Sequence, residues 1–179
     1  MTTTPVLETE RLVLRPPRME DAVTIFESYA RDEGVTRYLT FRPNQTLEET
    51  EEFMRARLRK MEEGEVFTWA ITRRGGGDDR LIGMIELRLQ KFKADFGYVL
   101  ARPFWGQGLM TEALRAVLDF AFSLPGMYRV WAVCDVENVG SARVMEKAGL
   151  SFEGILRRHT IHPNVGPEPR DMRCYAKTR

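Results

Sequence analysis

The chain carries almost no net charge: 27 Lys and Arg against 26 Asp and Glu leave +1 at pH 7. General nucleic-acid or membrane binding needs a basic excess, so neither partner is expected. Its apolar runs are far too short to span a bilayer, and the first residues lack an apolar signal core, which makes a cytoplasmic location the expectation. Only two cysteines are present, Cys134 and Cys174, each in a strand-like run without metal-ligand spacing. Reduced core thiols and no metal site follow. The two histidines, His159 and His162, have no Ser-His-Asp or metal spacing around them, so surface or loop positions are expected. What remains is 43% hydrophobic and 30% charged over 179 residues. Those values suit one globular domain over 1–179 with a substantial core.

Periodicity predicts a mixed order of elements. Leu12 to Pro16 reads as a strand stopped by two prolines, and Glu20 to Ala30 as a helix with Ala22, Ile25, Phe26 and Tyr29 on one face. Thr46-Leu47-Glu48-Glu49 is a capping-box pattern opening a long polar helix to about Glu62, with Leu47, Met54, Leu58 and Met61 as its inner stripe. Strand-like runs then follow at Val66–Thr72, Leu81–Leu89 and Ala94–Leu100, the first two joined as a hairpin by Gly75-Gly76-Gly77-Asp78. Beyond them lie a helix from about Met110, a strand at Arg129–Cys134, and a short helix from Asn138 or Ser141 that Gly149 ends. Two further runs, Gly154–Ile161 and Asp171–Ala176, flank a loop rich in Pro and Gly. The fold class is α/β (α+β), without repeats or linkers.

The most informative stretch is Trp105-Gly106-Gln107-Gly108-Leu109-Met110-Thr111. A strand feeds a Gly-x-Gly turn that runs into an amphipathic helix. Helix starts leave N–H groups unpaired and carry partial positive charge, and glycines let a ligand approach them. This describes an anion pocket suited to a diphosphate; its plainer alternative is a strand-to-helix turn with no ligand. Thr111 stands where a Rossmann fingerprint needs a third glycine, and no Gly-Lys-Ser/Thr is present, so dinucleotide and nucleotide-hydrolase readings are disfavoured.

Three tracts together resemble the acetyl-CoA site of the GCN5-related N-acetyltransferase (GNAT) superfamily: Asp95–Leu100, Trp105–Ala113 and Asn138–Leu150 with Phe152-Glu153-Gly154. Met145-Glu146-Lys147-Ala148-Gly149-Leu150, the opening Thr9–Arg15 and the closing Arg170-Asp171 resemble its RimJ/RimL-like branch. The resemblance implies a central mixed, largely antiparallel sheet with helices on both faces. It also implies acetyl transfer from acetyl-CoA, as cosubstrate, to the amine of a small molecule or a protein N-terminus in a ternary complex, by a monomer or homodimer. Backbone around Val99 and Leu100 would hold the thioester carbonyl, and N–H groups from Gly106 through Gln107, Gly108, Leu109 and Met110 to Thr111, beside Trp105, the diphosphate. Asn138 would reach the pantetheine arm and Lys147 the CoA phosphates. The superfamily's usual proton-donating Tyr is replaced by Met145, which cannot donate, so Ser141 is the candidate donor. Glu86 and Asp95 are the candidate bases, because an amine of pKa about 8 to 10 must lose a proton before attack. Each has an ordinary alternative: a solvated strand carboxylate for Glu86 and Asp95, a helix cap for Asn138 and Ser141. Met110 is bulkier than the residue usual there and threatens the approach of the helix start to the diphosphate. The loop Pro163–Pro169 and the regions of Phe26 and Phe41 would shape the acceptor pocket. Two rivals remain: a CoA-binding sensor or structural protein without turnover, and a nucleotide-binding enzyme using the same turn.

Overall fold

A computed structural model describes residues 4–64, 66–75, 77 and 79–179. Gly76 and Asp78 of the expected hairpin turn lie outside the described residues. Strands β1 (Leu7–Glu8), β2 (Leu12–Arg15), β3 (Val66–Arg73), β4 (Leu81–Leu89), β5 (Lys93–Leu100), β6 (Arg129–Asp135), β7 (Ser151–Thr160) and β8 (Arg170–Thr178) form one sheet in the order β1-β2-β3-β4-β5-β6-β8-β7. Every pairing is antiparallel except β5 with β6. That parallel join covers only three pairs, from Lys93 opposite Arg129 to Asp95 opposite Trp131. Beyond Asp95 the two strands part.

Helices cover both faces. On one lie α4 (Leu109–Ser123) and α5 (Val139–Lys147). The apolar stripe of α4, through Ala113, Leu114, Val117, Leu118 and Ala121, is fully buried against Trp69, Ile85, Leu87 and Phe96. On the other lie α1 (Asp21–Ile25), α2 (Glu33–Thr36) and α3 (Leu47–Glu62), whose Ala22, Ile25 and Met54 pack with Ala70, Leu81 and Met84. Residues alternate between these two cores along β3 and along β4 from Met84 onward, as the period of two requires, and a bulge at Ile82 shifts the phase before it. Among the described residues no helix is long and apolar enough to cross a membrane.

The structure adds the short strand β1, absent from the sequence reading, and departs from that reading at three further elements. The helix expected from Glu20 to Ala30 is α-helical only to Ile25; Phe26–Ala30 form a wider π-helical turn. Residues 31–45, expected as loop, hold α2, a single turn capped by Asp32, whose Oδ1 accepts the N–H of Gly34 at 2.8 Å and of Val35 at 3.2 Å. In α3 the fully buried residues are Thr50 and Met54, while Leu47, Leu58 and Met61 are half-buried.

Candidate active site

The turn before α4 has the geometry its glycines suggest. Gly106 and Gly108 sit at φ +74° and +76°, a left-handed region costly for residues with a Cβ. The first intrahelical bond of α4 runs from the Glu112 N–H to the Gly108 carbonyl at 3.1 Å, so Leu109, Met110 and Thr111 have N–H groups without intrahelical partners. Gly106, Gln107 and Gly108 are exposed. Met110 is 4% exposed and packs into the core beneath the helix, so its bulk does not obstruct the turn. Gln107 donates from Nε2 to the Pro103 carbonyl at 2.9 Å.

A brace from the N-terminal strands holds this turn. Glu112, in the first turn of α4, accepts the Thr9 hydroxyl at 2.7 Å, the Arg11 N–H at 2.8 Å and Arg11 Nε at 2.7 Å. Burial alone would raise this carboxyl's pKa, but those donors and the Arg11 charge hold it below the usual carboxylate range. Arg11 Nη1 then donates to the Gln107 carbonyl at 3.0 Å, inside the turn itself.

The turn stands at the mouth of the β5–β6 gap. The Ala101 N–H bonds the Ile82 carbonyl at 2.9 Å, so by alternation the N–H groups of Tyr98 and Leu100 face away from β4, toward the strand that has parted. Val99, on the opposite phase, directs its backbone to β4. The Leu100 carbonyl is taken by Trp105 Nε1 at 2.6 Å, leaving its N–H as the donor available to the gap. Across the gap, Asn138 caps α5: its Oδ1 accepts the Ser141 N–H at 3.1 Å, and its amide NH2 has no protein partner among the described residues. Ser141 meets Tyr98 of β5, hydroxyl to hydroxyl at 2.8 Å. Lys147 lies at the opposite end of α5, where its carbonyl accepts from Arg115 at 2.5 Å, about 9 Å of helix rise along α4 from the turn.

Glu86 and Asp95 project from the other sheet face, where Glu86 lies opposite Gly97 and Arg88 opposite Asp95. The structure brings them together through one guanidinium: Arg88 Nε donates to Asp95 at 2.6 Å while its Nη1 pairs with Glu86. Arg57 of α3 pairs with the second Glu86 oxygen. Both candidate bases are therefore ion-paired. Farther along that face, Asn164 Nδ2 donates to the carbonyls of Thr36 and Phe41, each at 2.7 Å, tying the Pro163–Pro169 loop to the segment after α2. A cavity of about 420 Å³ adjoins this loop, lined among others by Glu137, Gly166, Glu168 and Arg170.

His162 lies in the loop after β7, as expected, but not at the surface. It is 3% exposed, edge-on to Tyr38 at 6.1 Å, with neither ring nitrogen hydrogen-bonded among the described residues. Its Nε2 is 3.9 Å from Asp135, which Arg170 grips at 2.5 and 3.1 Å. Burial lowers the imidazole pKa, against the raising effects of Asp135 and the Leu39 backbone.

A family model described as "Acetyltransferase (GNAT) domain" matches residues 11–151, most of the chain. The chain belongs to the GNAT acetyltransferase family. It is 31% identical to the uncharacterized N-acetyltransferase YoaA of Bacillus subtilis over 178 residues, covering 98% of each. A crystal structure of a GNAT-family acetyltransferase from Bacillus anthracis superposes with a TM-score of 0.82 at 27% identity, over 97% of this chain and 98% of that one. RimL, the ribosomal L7/L12 alpha-N-protein acetyltransferase solved with coenzyme A, shares the fold at TM-score 0.85 and 18% identity, over 97% and 98%. The GNAT chain is an N-acetyltransferase.

Sequence reading passed over Arg11, Arg57, Arg88 and Tyr98 as site residues. Arg88 had a signal, since Glu86 and Arg88 are two apart on a strand and must share a face. Arg57 and Tyr98 had none, because each meets its partner across distant elements.

Proposed function

We propose that this GNAT enzyme moves the acetyl group of acetyl-CoA directly to a primary amine, on a protein N-terminus or a small molecule, within a ternary complex. One observation carries the reading: the parted β5–β6 pair opens beside unpaired N–H groups at the start of α4, with carboxylates on the opposite face. The residues suit acetyl-CoA. Two left-handed glycines leave the α4 donors uncovered for the diphosphate, the Asn138 amide is free for a pantetheine carbonyl, and the Leu100 N–H is free for the thioester oxygen, which gains negative charge as the amine attacks. The acceptor arrives from the α1–α3 side, beside Glu86 and Asp95. An ammonium there competes with Arg88 for the same carboxylates, and one of them, directly or through water, takes the proton that makes nitrogen nucleophilic. The new C–N bond forms, the C–S bond breaks with its electron pair on sulfur, and Ser141 faces the departing thiolate.

The clamping of both carboxylates by guanidinium groups also favours a second reading, a CoA-binding protein without turnover. Thermal unfolding with acetyl-CoA, CoA, ATP or NAD separates the possibilities, because a ligand of the folded state alone raises the midpoint. Stabilisation by the two CoA species only, followed by acetylation within a panel of polyamines and peptides with free N-termini, supports the proposal. CoA binding with no acetylation of any amine supports the second reading. Stabilisation by ATP or NAD without CoA overturns both. Gly108→Glu places a side chain and a negative charge against the diphosphate donors; CoA affinity should fall at least tenfold by titration calorimetry with the fold intact. Glu86→Gln should lower turnover and change its pH profile while CoA affinity stays constant.

A further inference from the structure

The position from which many family members donate a proton to the leaving sulfur is filled by Met145, 1% exposed and sunk in the core. One turn earlier on α5, Ser141 is half-buried at the gap. The hydroxyl that reaches Ser141 comes from β5. Tyr98 stacks on Phe96, with ring centroids 6.1 Å apart and planes 17° apart, and its phenol lies 2.8 Å from Ser141 Oγ and 3.2 Å from the Ser141 carbonyl. The Ser141 carbonyl can only accept, so the phenol donates there, while in the shorter contact either hydroxyl can be the donor. When the phenol turns its proton to Oγ, it occupies a lone pair there and frees the serine proton to point elsewhere. The other titratable group facing the phenol is Cys134 on β6. Burial pushes that thiol up to about 11, so it stays neutral at physiological pH. Burial likewise raises the Tyr98 phenol, which remains a donor throughout.

We infer that Tyr98 is a positioning residue that aims the Ser141 hydroxyl at the sulfur of bound CoA, a phenol delivered from the strand where the helix has lost one. The inference rests on the acetyl-CoA reading above. Tyr98 acts through Ser141 and is itself never ionised. When the C–S bond breaks, its electron pair remains on sulfur, the Ser141 O–H stabilises that thiolate by hydrogen bonding, and the proton released by the amine balances the one sulfur finally gains.

The test does not depend on turnover. The thiol of CoA bound to the protein is titrated between pH 6 and 10 by thiolate absorbance, with the ligand-free protein subtracted, for the wild type, Tyr98→Phe, Ser141→Ala and the double variant. Phe keeps the stack on Phe96. Each single change should raise the titration midpoint by about one pH unit, and the double variant should match Ser141→Ala alone, because both remove the same hydrogen bond. CoA affinity should stay within about twofold. A Tyr98→Phe midpoint equal to wild type, or additive effects in the double variant, overturns the inference and leaves the acetyl-CoA reading standing. Failure of wild-type protein to bind CoA at all overturns that reading, and this inference with it. In active protein, kcat should fall about tenfold in Tyr98→Phe with the KM for acetyl-CoA unchanged.

Discussion

Protonating His162 would place a charge where neither ring nitrogen is hydrogen-bonded among the described residues and where the Asp135 carboxylate, 3.9 Å away, is already committed to Arg170. Its folded pKa is lowered by burial, while the unfolded chain takes up a proton near pH 6.5. The full stability is therefore present above about pH 6.5 and is lost as pH falls below it, by up to about 1.4 kcal/mol per pH unit until the folded imidazole also titrates. The thermal midpoint should drop as pH falls below about 6.5, and His162→Phe, which keeps an aromatic edge against Tyr38, should flatten that slope whatever its effect on absolute stability. A slope unchanged in the variant would assign the acid sensitivity elsewhere. Burial of His162 was illegible in the sequence because it arises when Asn164 ties the late loop to Thr36 and Phe41, 123 to 128 residues away. Glycine is the opposite case. Gly106 and Gly108 announced their left-handed turn, since that conformation is a property of the residue itself.

At the scale of elements, the join of β1–β2 to α4 matters most for the glycine turn proposed to hold the diphosphate. Glu112 gathers three donors from Thr9 and Arg11, and Arg11 passes the restraint to the Gln107 carbonyl. Glu112→Gln should weaken CoA binding about fivefold to tenfold by calorimetry, through loss of an ordered turn and not of a ligand contact, and should leave kcat at saturating acetyl-CoA nearly unchanged. An affinity equal to wild type would show that the turn holds its shape without the brace. Elements with strong internal periodicity were readable: α3 begins and ends where Thr46 and Glu62 placed it, and β4 spans the expected Leu81–Leu89. Elements shaped by neighbours were not. The single-turn α2 contains Gly34 and depends on Asp32, which is itself held by Arg102. The π-helical turn at Phe26–Ala30 leaves no mark in the apolar spacing, because one widened turn keeps Tyr29 and Ala30 inward.

Across the whole molecule, two apolar cores share one sheet, and neither can lose its packing without exposing strands that the other uses. Leu114 is fully buried in the larger core. Leu114→Ala should cost about 2–5 kcal/mol in urea unfolding, in a single transition reported equally by tryptophan fluorescence and by far-ultraviolet circular dichroism. Two separated transitions would mean that the cores melt independently. The mixed, largely antiparallel architecture followed from the element order together with the family resemblance, but the strand order β6-β8-β7 could not be read from alternation, which is blind to which neighbour a strand chooses.

The three-pair join of β5 to β6 makes the protein a natural candidate for division. Strands β1–β5 and β6–β8 are two half-sheets sewn by one short seam, and the chain passes between them once, through the turn in which the Met127 N–H bonds the Leu124 carbonyl at 3.3 Å. Fragments 1–125 and 126–179, produced together, should reassemble along that seam and regain acetyl transfer, with a strength of association that acetyl-CoA increases, since the groups proposed to bind it come from both pieces. The gap proposed for acetyl-CoA is in that sense also a dotted line, along which the enzyme can be cut into a two-part reporter of its own ligand.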